Sequence, residues 1–304
     1  MDYHAIVDDF GKFLLQVSGV REKTKHQYSR YVQKFLCEKF DHFSEKQLAA
    51  LSPVDVIEYM LNQKKIYNIP TIKAMTNALR SFFRFLVFKG LCEDRVACAV
   101  PAIADWKLAH VPQYLTQDQL ERLLSSFNRK KANGLRGYAI ALCLSRLGLR
   151  RNEVANLLLD DIDWYSGIIR LSEGKGRRTN ELPLPEDVGE AIVAYLKNGR
   201  PVTTERKVFV RHCSPIGTAV TGSAIGAVIK RAFKRTGLQL PSYGSHILRH
   251  TVATHMVQQG VSIKEIADIL RHKSIDTTVI YTKVDIPMLL EVALPWPIDG
   301  GRVS

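Results

Sequence analysis

No stretch of the sequence approaches the run of about 18 consecutive apolar residues that a membrane-spanning helix needs, which argues against a membrane protein. The opening Met1-Asp2-Tyr3-His4 lacks the basic-then-apolar pattern of a secretory leader, so a cytoplasmic location is expected. Cysteine is scarce. The five residues Cys37, Cys92, Cys98, Cys143 and Cys213 are odd in number, scattered and without a Cys-x-x-Cys spacing. That argues against a zinc ribbon or a redox pair and predicts reduced, structural thiols. There is no internal repeat, no low-complexity tract and no carboxylate cluster of the kind that holds magnesium.

What is abundant is positive charge: Lys and Arg total 43 against 30 for Asp and Glu, a net charge of +13. Such a balance favours a polyanionic partner, nucleic acid ahead of an anionic membrane surface. A chain of 304 residues, 46% of them hydrophobic, exceeds what one core usually organises, and two domains are expected.

The first third reads as helical. Ile6, Val7, Phe10, Phe13, Leu14 and Val17 recur at helical spacing across residues 4–17. A second helix is expected from Lys23 to Phe40, with Tyr28, Tyr31, Val32, Phe35 and Leu36 on its apolar side. Ser52-Pro53-Val54-Asp55 announces a third, since Ser can cap, Pro suits the first helical position and the carboxylate lies in the first turn. A fourth, from about Thr71 to Lys89, holds Leu79, Phe82, Phe83, Leu86 and Phe88 and stops at Gly90. Lys25, Arg30 and Lys34 on the second helix, and Lys73, Arg80 and Arg84 on the fourth, are candidates for phosphate contacts across a DNA groove. Ordinary solvated faces would carry the same residues.

Pro101 and Pro112 bracket a segment of mixed character, and Thr116-Gln117-Asp118-Gln119 starts a new helix. The expected division is a helical domain over 1–107, a linker over 108–113 and a second domain over 114–304. In the latter, residues 135–159 form two helical stretches broken around Gly148, followed by short strands at Ile168 to Ser172 and Glu181 to Leu184. The turn between the strands is the basic Glu173-Gly174-Lys175-Gly176-Arg177-Arg178. Helical patterns dominate from there on, so the fold class is mainly α with a small β-sheet, an α+β second domain.

Several positions carry chemistry. Arg150 follows Leu147-Gly148-Leu149 at a predicted helix start, a place suited to an anion; a surface arginine would read the same. Lys175, between two glycines at the hairpin tip, can approach a ligand closely and donate a proton to a leaving alkoxide, and a solvated turn lysine fits as well. Arg177 and Arg178 make that tip attractive to phosphate. His246 and Arg249 lie three apart and share a helix face, so both can reach one phosphate. His246 and His250, four apart with His255 nearby, also permit a metal site; against it, the Glu of the hydrolytic zinc motif is missing and Arg249 would place a cation beside the metal. His272 is expected to close the helix opened by the capping box Ser262-Ile263-Lys264-Glu265, and Tyr281 follows two β-branched residues.

The series Gly148-Leu149-Arg150-Arg151-Asn152-Glu153, Gly174-Lys175-Gly176, His246-Ile247-Leu248-Arg249-His250, Leu270-Arg271-His272 and Ile280-Tyr281 resembles the tyrosine recombinase family of phage integrases, Xer and Cre proteins. The match spans nearly the whole chain. It implies a helical, SAM-like core-binding domain and a catalytic domain that together form a clamp around DNA. It implies catalytic positions at Arg150, Lys175, His246, Arg249, His272 and Tyr281. By that resemblance Arg150 and Arg249 clamp the non-bridging oxygens, His272 donates to the same phosphate, Lys175 is the acid for the leaving 5′ oxygen and His246 assists removal of the Tyr281 proton.

The product implied is a 3′-phosphotyrosyl enzyme, formed without metal or other cofactor, with Glu153 supporting Arg150. The implied partners are double-stranded DNA with paired half-sites and further copies of the chain, a dimer per site and a tetramer in the synapse. The tail over residues 285–294 would dock on a neighbour, and nucleoid association follows. No extra amino-terminal domain for arm sites is expected. The chain departs from the family at Arg271, where Gly is usual, so the approach to His272 is reshaped or gains a phosphate contact, and at Arg151, where an uncharged residue is common. The competing classes are a non-catalytic DNA-binding regulator, a type IB topoisomerase and a metal-dependent nuclease.

Overall fold

The computed structural model describes residues 3–40, 44–103, 112–172, 179–240, 243–272, 274 and 276–281. The chain divides into two compact units, Met1–Trp106 and Lys107–Ser304. The linker expected at 108–113 falls largely outside the described residues.

In the first unit, α1 (Tyr3–Gln16), α2 (Glu22–Lys39), α4 (Pro53–Ile66) and α5 (Ile69–Phe88) pack around aromatic side chains, with two short helices, α3 (Glu45–Ala49) and α6 (Asp94–Cys98), between and after them. Phe10, Phe35, Phe82 and Phe83 are fully buried. Phe10 meets Phe82 edge-on at 5.3 Å, and Phe35 meets Tyr59 and Phe83 edge-on at 4.9 and 5.7 Å, geometries that add to the burial of area. The capping box expected at Ser52 forms: its amide donates to Asp55 at 2.9 Å, the Asp55 amide donates back at 3.4 Å, and Lys39 ties the carboxylate to α2 at 2.6 Å.

Two apolar residues of the expected helices are exposed. Val17 is 67% exposed because α1 ends one residue before it. Phe88 is 74% exposed because, two residues past Leu86, it points about half a turn away from the stripe of Leu79, Phe82 and Leu86.

The second unit is mainly helical with one small sheet, as the fold class expected. Its helices are α7 (Gln117–Ser125), α8 (Ala132–Ser145), α9 (Arg151–Asn156), α10 (Glu186–Asn198), α11 (Gly222–Thr236), α12 (His246–Gln258), α13 (Ile263–Ile269) and α14 (Asp276–Val279). Strands β1 (Ile162–Asp163), β2 (Ile168–Ser172) and β3 (Thr179–Pro183) form an antiparallel sheet in that order. Ile169 sits opposite both Ile162 and Leu182, so one face is apolar and buried. Helix α8 is buried on every side from Ala139 to Leu144, which makes it the pillar of this core. Among the described residues, no helix is long and apolar enough to cross a membrane.

Candidate active site

The site is assembled by two turns in which the backbone becomes left-handed. The first is Gly148 (φ 58), between α8 and α9. Glycine is required there twice over, for the dihedral and because a Cβ would lie 2.6 Å from the Leu270 side chain. The turn presents Arg150 as the cap of α9. The Arg150 amide donates to Glu153 Oε2 at 2.7 Å, and its guanidinium donates through Nη1 to Glu153 Oε1 at 2.8 Å and through Nη2 to the Arg271 carbonyl at 2.8 Å. The expectation that Glu153 supports Arg150 matches this geometry.

The second turn ends α13. Arg271 N–H donates to Asp268 O at 3.0 Å and His272 N–H to Ala267 O at 2.9 Å, the double bond of a Schellman motif whose left-handed residue is usually glycine. Here it is Arg271 (φ 54). One expectation is corrected at this point. His272 does not close the helix, which ends at Ile269; it lies beyond the left-handed residue, with its ring against Thr278. Of the two alternatives at Arg271, a reshaped approach or a phosphate contact, the inward-turned side chain favours the first. That side chain is 3% exposed and folded inward, with Nη2 2.9 Å from Glu153 Oε2 and Nη1 donating to the Ile269 carbonyl at 3.1 Å.

Helix α12 sits between the turns. The buried Arg249 guanidinium donates to the carbonyls of Gly148 and Leu270, one from each turn. Both acceptors are neutral, so its charge remains available to an incoming anion. Burial first, then the Arg150 charge, lowers its pKa to about 10, which leaves it protonated at neutral pH. His246, at the start of α12, is half-buried; burial and then the charges of Arg151, Arg249 and Arg150 hold its pKa below the ordinary histidine value. Arg151 runs beside α11, where a Cβ on Gly226 would lie 3.6 Å from its Nη1.

Tyr281 is 1% exposed, packed with Val252, Ala253, Val257, Ile266 and Leu270. Its hydroxyl contacts Nδ1 of His250 at 2.7 Å. Burial raises the phenol to about 12 against the opposing pull of Arg249, while burial and then the His246 and Arg249 charges depress His250 to about 4. Nδ1 of His272 meets the buried hydroxyl of Thr278 at 2.6 Å, and burial and then Arg249 bring this imidazole also to about 4. All three histidines are therefore neutral near pH 7. Among the described residues, no group of three or more His, Cys, Asp or Glu side chains could hold a metal ion.

The structure thus gathers Arg150, His246, Arg249, His272 and Tyr281 around the two turns, while Lys175, Arg177 and Arg178 lie outside the described residues. In the first unit the basic candidates divide. Arg30 is exposed over the Tyr31 ring at 5.6 Å, and Lys34 donates to the Tyr67 hydroxyl at 2.8 Å; both line a groove with Thr71 and Met75. Lys25 pairs with Glu22 at 3.5 Å, Lys73 is half-buried, Arg84 is exposed, and Arg80 is engaged with the Val100 carbonyl at 3.1 Å.

Sequence reasoning weighed His250 only as a metal ligand, although its place next to Arg249 and one turn after His246 was a signal. Nothing in the sequence marked Thr278.

Such a cluster can hold a phosphodiester and offer it a phenol. The phage integrase family model matches residues 113–286, and the phage integrase N-terminal SAM-like domain model matches residues 7–90. The Sinorhizobium fredii integrase/recombinase y4rA is 41% identical over 96% of this chain and 70% of its own length. Tyrosine recombinase XerA of Pyrococcus furiosus is 27% identical over 94% of this chain and 92% of its own. The crystal structure of XerH site-specific recombinase bound to a palindromic difH substrate shares the fold, with TM-score 0.73 and 21% identity over 94% of this chain and 83% of that one. The chain belongs to the phage integrase family and is a tyrosine recombinase, an enzyme that breaks and rejoins DNA.

Proposed function

We propose that the chain recombines DNA at paired half-sites, with Tyr281 as nucleophile and Arg150 and Arg249 as the clamp on the scissile phosphate. The observation that carries this reading is the contact of the Tyr281 hydroxyl with α12 one residue from Arg249, whose guanidinium shares its two anchoring turns with Arg150. Two fixed cations can neutralise the non-bridging oxygens and stabilise the added charge of the transition state. His272, with Nδ1 turned to Thr278, has Nε2 left to donate to the same phosphate. His246, among three guanidinium groups, is suited to contact it too.

The Tyr281 oxygen forms a bond to phosphorus as the bond to the 5′ oxygen breaks. The phenolic proton goes to Nδ1 of His250, the acceptor already in contact, rather than to His246. The leaving 5′ oxygen takes a proton from Lys175, a role that rests on the family resemblance. Without DNA, burial holds the phenol above and the imidazole below their ordinary values, so the proton stays on the Tyr281 oxygen. Tyr281 is therefore stored protonated, and the phosphate's negative charge is what makes His250 a competent base. A free 5′ hydroxyl reverses the step, so strand joining needs no ATP.

The λ integrase core-site complex was solved as a dimer on DNA, and we infer the same number per site here, with two dimers in a synapse joined through the tail beyond residue 285. The test is covalent trapping. Duplexes retained by the purified protein from a random-sequence library are nicked beside the cleavage phosphate and incubated with the protein in EDTA. A protein–DNA adduct that Tyr281→Phe abolishes is expected. Binding with no adduct would leave a DNA-binding regulator, and relaxation of plasmids lacking the selected site would point to a topoisomerase.

A further inference from the structure

We infer that Arg271 is a positioning residue, one that acts through Glu153 to hold the Arg150 guanidinium in place and in charge for the scissile phosphate. The inference rests on the role proposed for Arg150.

A left-handed backbone at the Schellman position is cheap for glycine and costly for any side chain with a Cβ. Arg271 occupies it at φ 54, and its side chain is not left in solvent, where it would be incidental, but is 3% exposed. It closes a ring with the site. Glu153 Oε2 accepts from both the Arg150 amide and Arg271 Nη2, Glu153 Oε1 accepts from Arg150 Nη1, and Arg150 Nη2 returns to the Arg271 carbonyl. Residue 271 therefore meets Arg150 directly through its backbone and a second time through a shared carboxylate.

Charge gives the ring its purpose. A carboxylate paired with Arg150 alone would cancel the cation that a phosphate needs. With Arg271 the three side chains sum to one positive charge, because Glu153 is ionised: burial pushes its carboxyl up, but Arg271 and then the Arg150 amide and guanidinium bring it below the ordinary value. The buried Nε of Arg271 has no hydrogen-bond partner, so the group is held by the ion pair and one carbonyl and has little reason to be buried apart from Glu153.

The test compares the full-length wild type with Arg271→Gly and Arg271→Lys in single-turnover adduct formation on the selected nicked duplex. Arg271→Gly should lower the rate constant about tenfold or more while leaving half-site affinity unchanged, and Arg271→Lys should restore part of it. A second duplex carries a methylphosphonate at the scissile position, which removes the oxygen charge that Arg150 answers. On it the gap between Arg271→Gly and wild type should narrow, as a general loss of structure would not allow.

Without DNA, Arg271→Gly should lower the melting temperature of the wild type but raise it in a Glu153→Gln background, where only the relief of the left-handed backbone remains. Wild-type rates on both duplexes, or an equal rise in melting temperature in both backgrounds, would overturn the inference. If the wild type forms no Tyr281 adduct at all, the proposed function falls and the catalytic role of Arg271 with it. The melting comparison still judges the ion pair separately.

Discussion

The turns at Gly148 and Arg271 solve one backbone problem with opposite residues. Both are left-handed, and both supply backbone carbonyls that hold the guanidinium pair. At 148 the residue must be absent in all but backbone, because Leu270 fills the space a Cβ would take. At 271 the space beside the backbone leads inward to a carboxylate, and a long cation repays the strained dihedral by filling it. The lesson is that a left-handed position asks for glycine only by default; what surrounds the Cβ decides whether a side chain is tolerated, excluded or used.

The comparison breaks first at Gly148. Gly148→Val adds left-handed strain of about 1–2 kcal/mol to an overpacking cost of about 1–3 kcal/mol against Leu270, so urea unfolding should show a loss of about 3 kcal/mol. Because Leu270 is itself buried, the loss in the Gly148→Val, Leu270→Ala double variant should be smaller than the sum of the two single losses. A Gly148→Val protein as stable as wild type would mean that the two turns are not in contact as described.

Next comes the nucleophile. His250→Ala should slow adduct formation about 100-fold, the lower end of what a positioned base contributes, with half-site binding intact. His246→Ala should instead weaken both cleavage and capture of the scissile phosphate. Equal effects from the two substitutions would mean that the Tyr281 proton has no single acceptor.

Much of this was legible in the sequence because it is local. The stripes of α2 and α5, the caps at Ser52, Thr116 and Ser262, and the break at Gly148 are all written within a few residues. Helices α3 and α6 and strand β1 were not, since five residues or two do not establish a period. The order of the site residues pointed to the family, but their mutual contacts span the chain. Arg150 reaches the carbonyl of Arg271 121 positions away, and Arg249 reaches that of Gly148 101 positions away. No spacing rule could turn Arg271 inward or choose His250 over His246 as the partner of Tyr281; that choice is made by the packing of α12, α13 and α14.

A pH series sharpens the contrast between the site and the rest of the second unit. His250, His272 and, away from the site, His212 titrate near 4 in the fold against an ordinary 6.5, in each case chiefly through burial. Because the unfolded chain takes up these protons first, the stability they represent is complete above about 6.5 and is lost as pH falls through about 4. The melting temperature should therefore drop between pH 6.5 and 4, and the drop should shrink in His250→Ala. A melting temperature flat across that window would show that these imidazoles are not buried neutral.

The smallest effects separate two arginines one turn apart on α5. Arg80 lends its guanidinium to the carbonyl of Val100, whereas Arg84 is exposed and has no hydrogen-bond or ion-pair partner among the described residues. Arg80→Ala should cost about 1 kcal/mol of stability. Arg84→Ala should leave stability within about 0.5 kcal/mol but lower the slope of log affinity against log salt by about 1, the mark of one lost phosphate contact. Titrations of the selected half-site at several salt concentrations measure both. If Arg80→Ala changes the slope and Arg84→Ala does not, the DNA-facing side of α5 has been assigned the wrong way round.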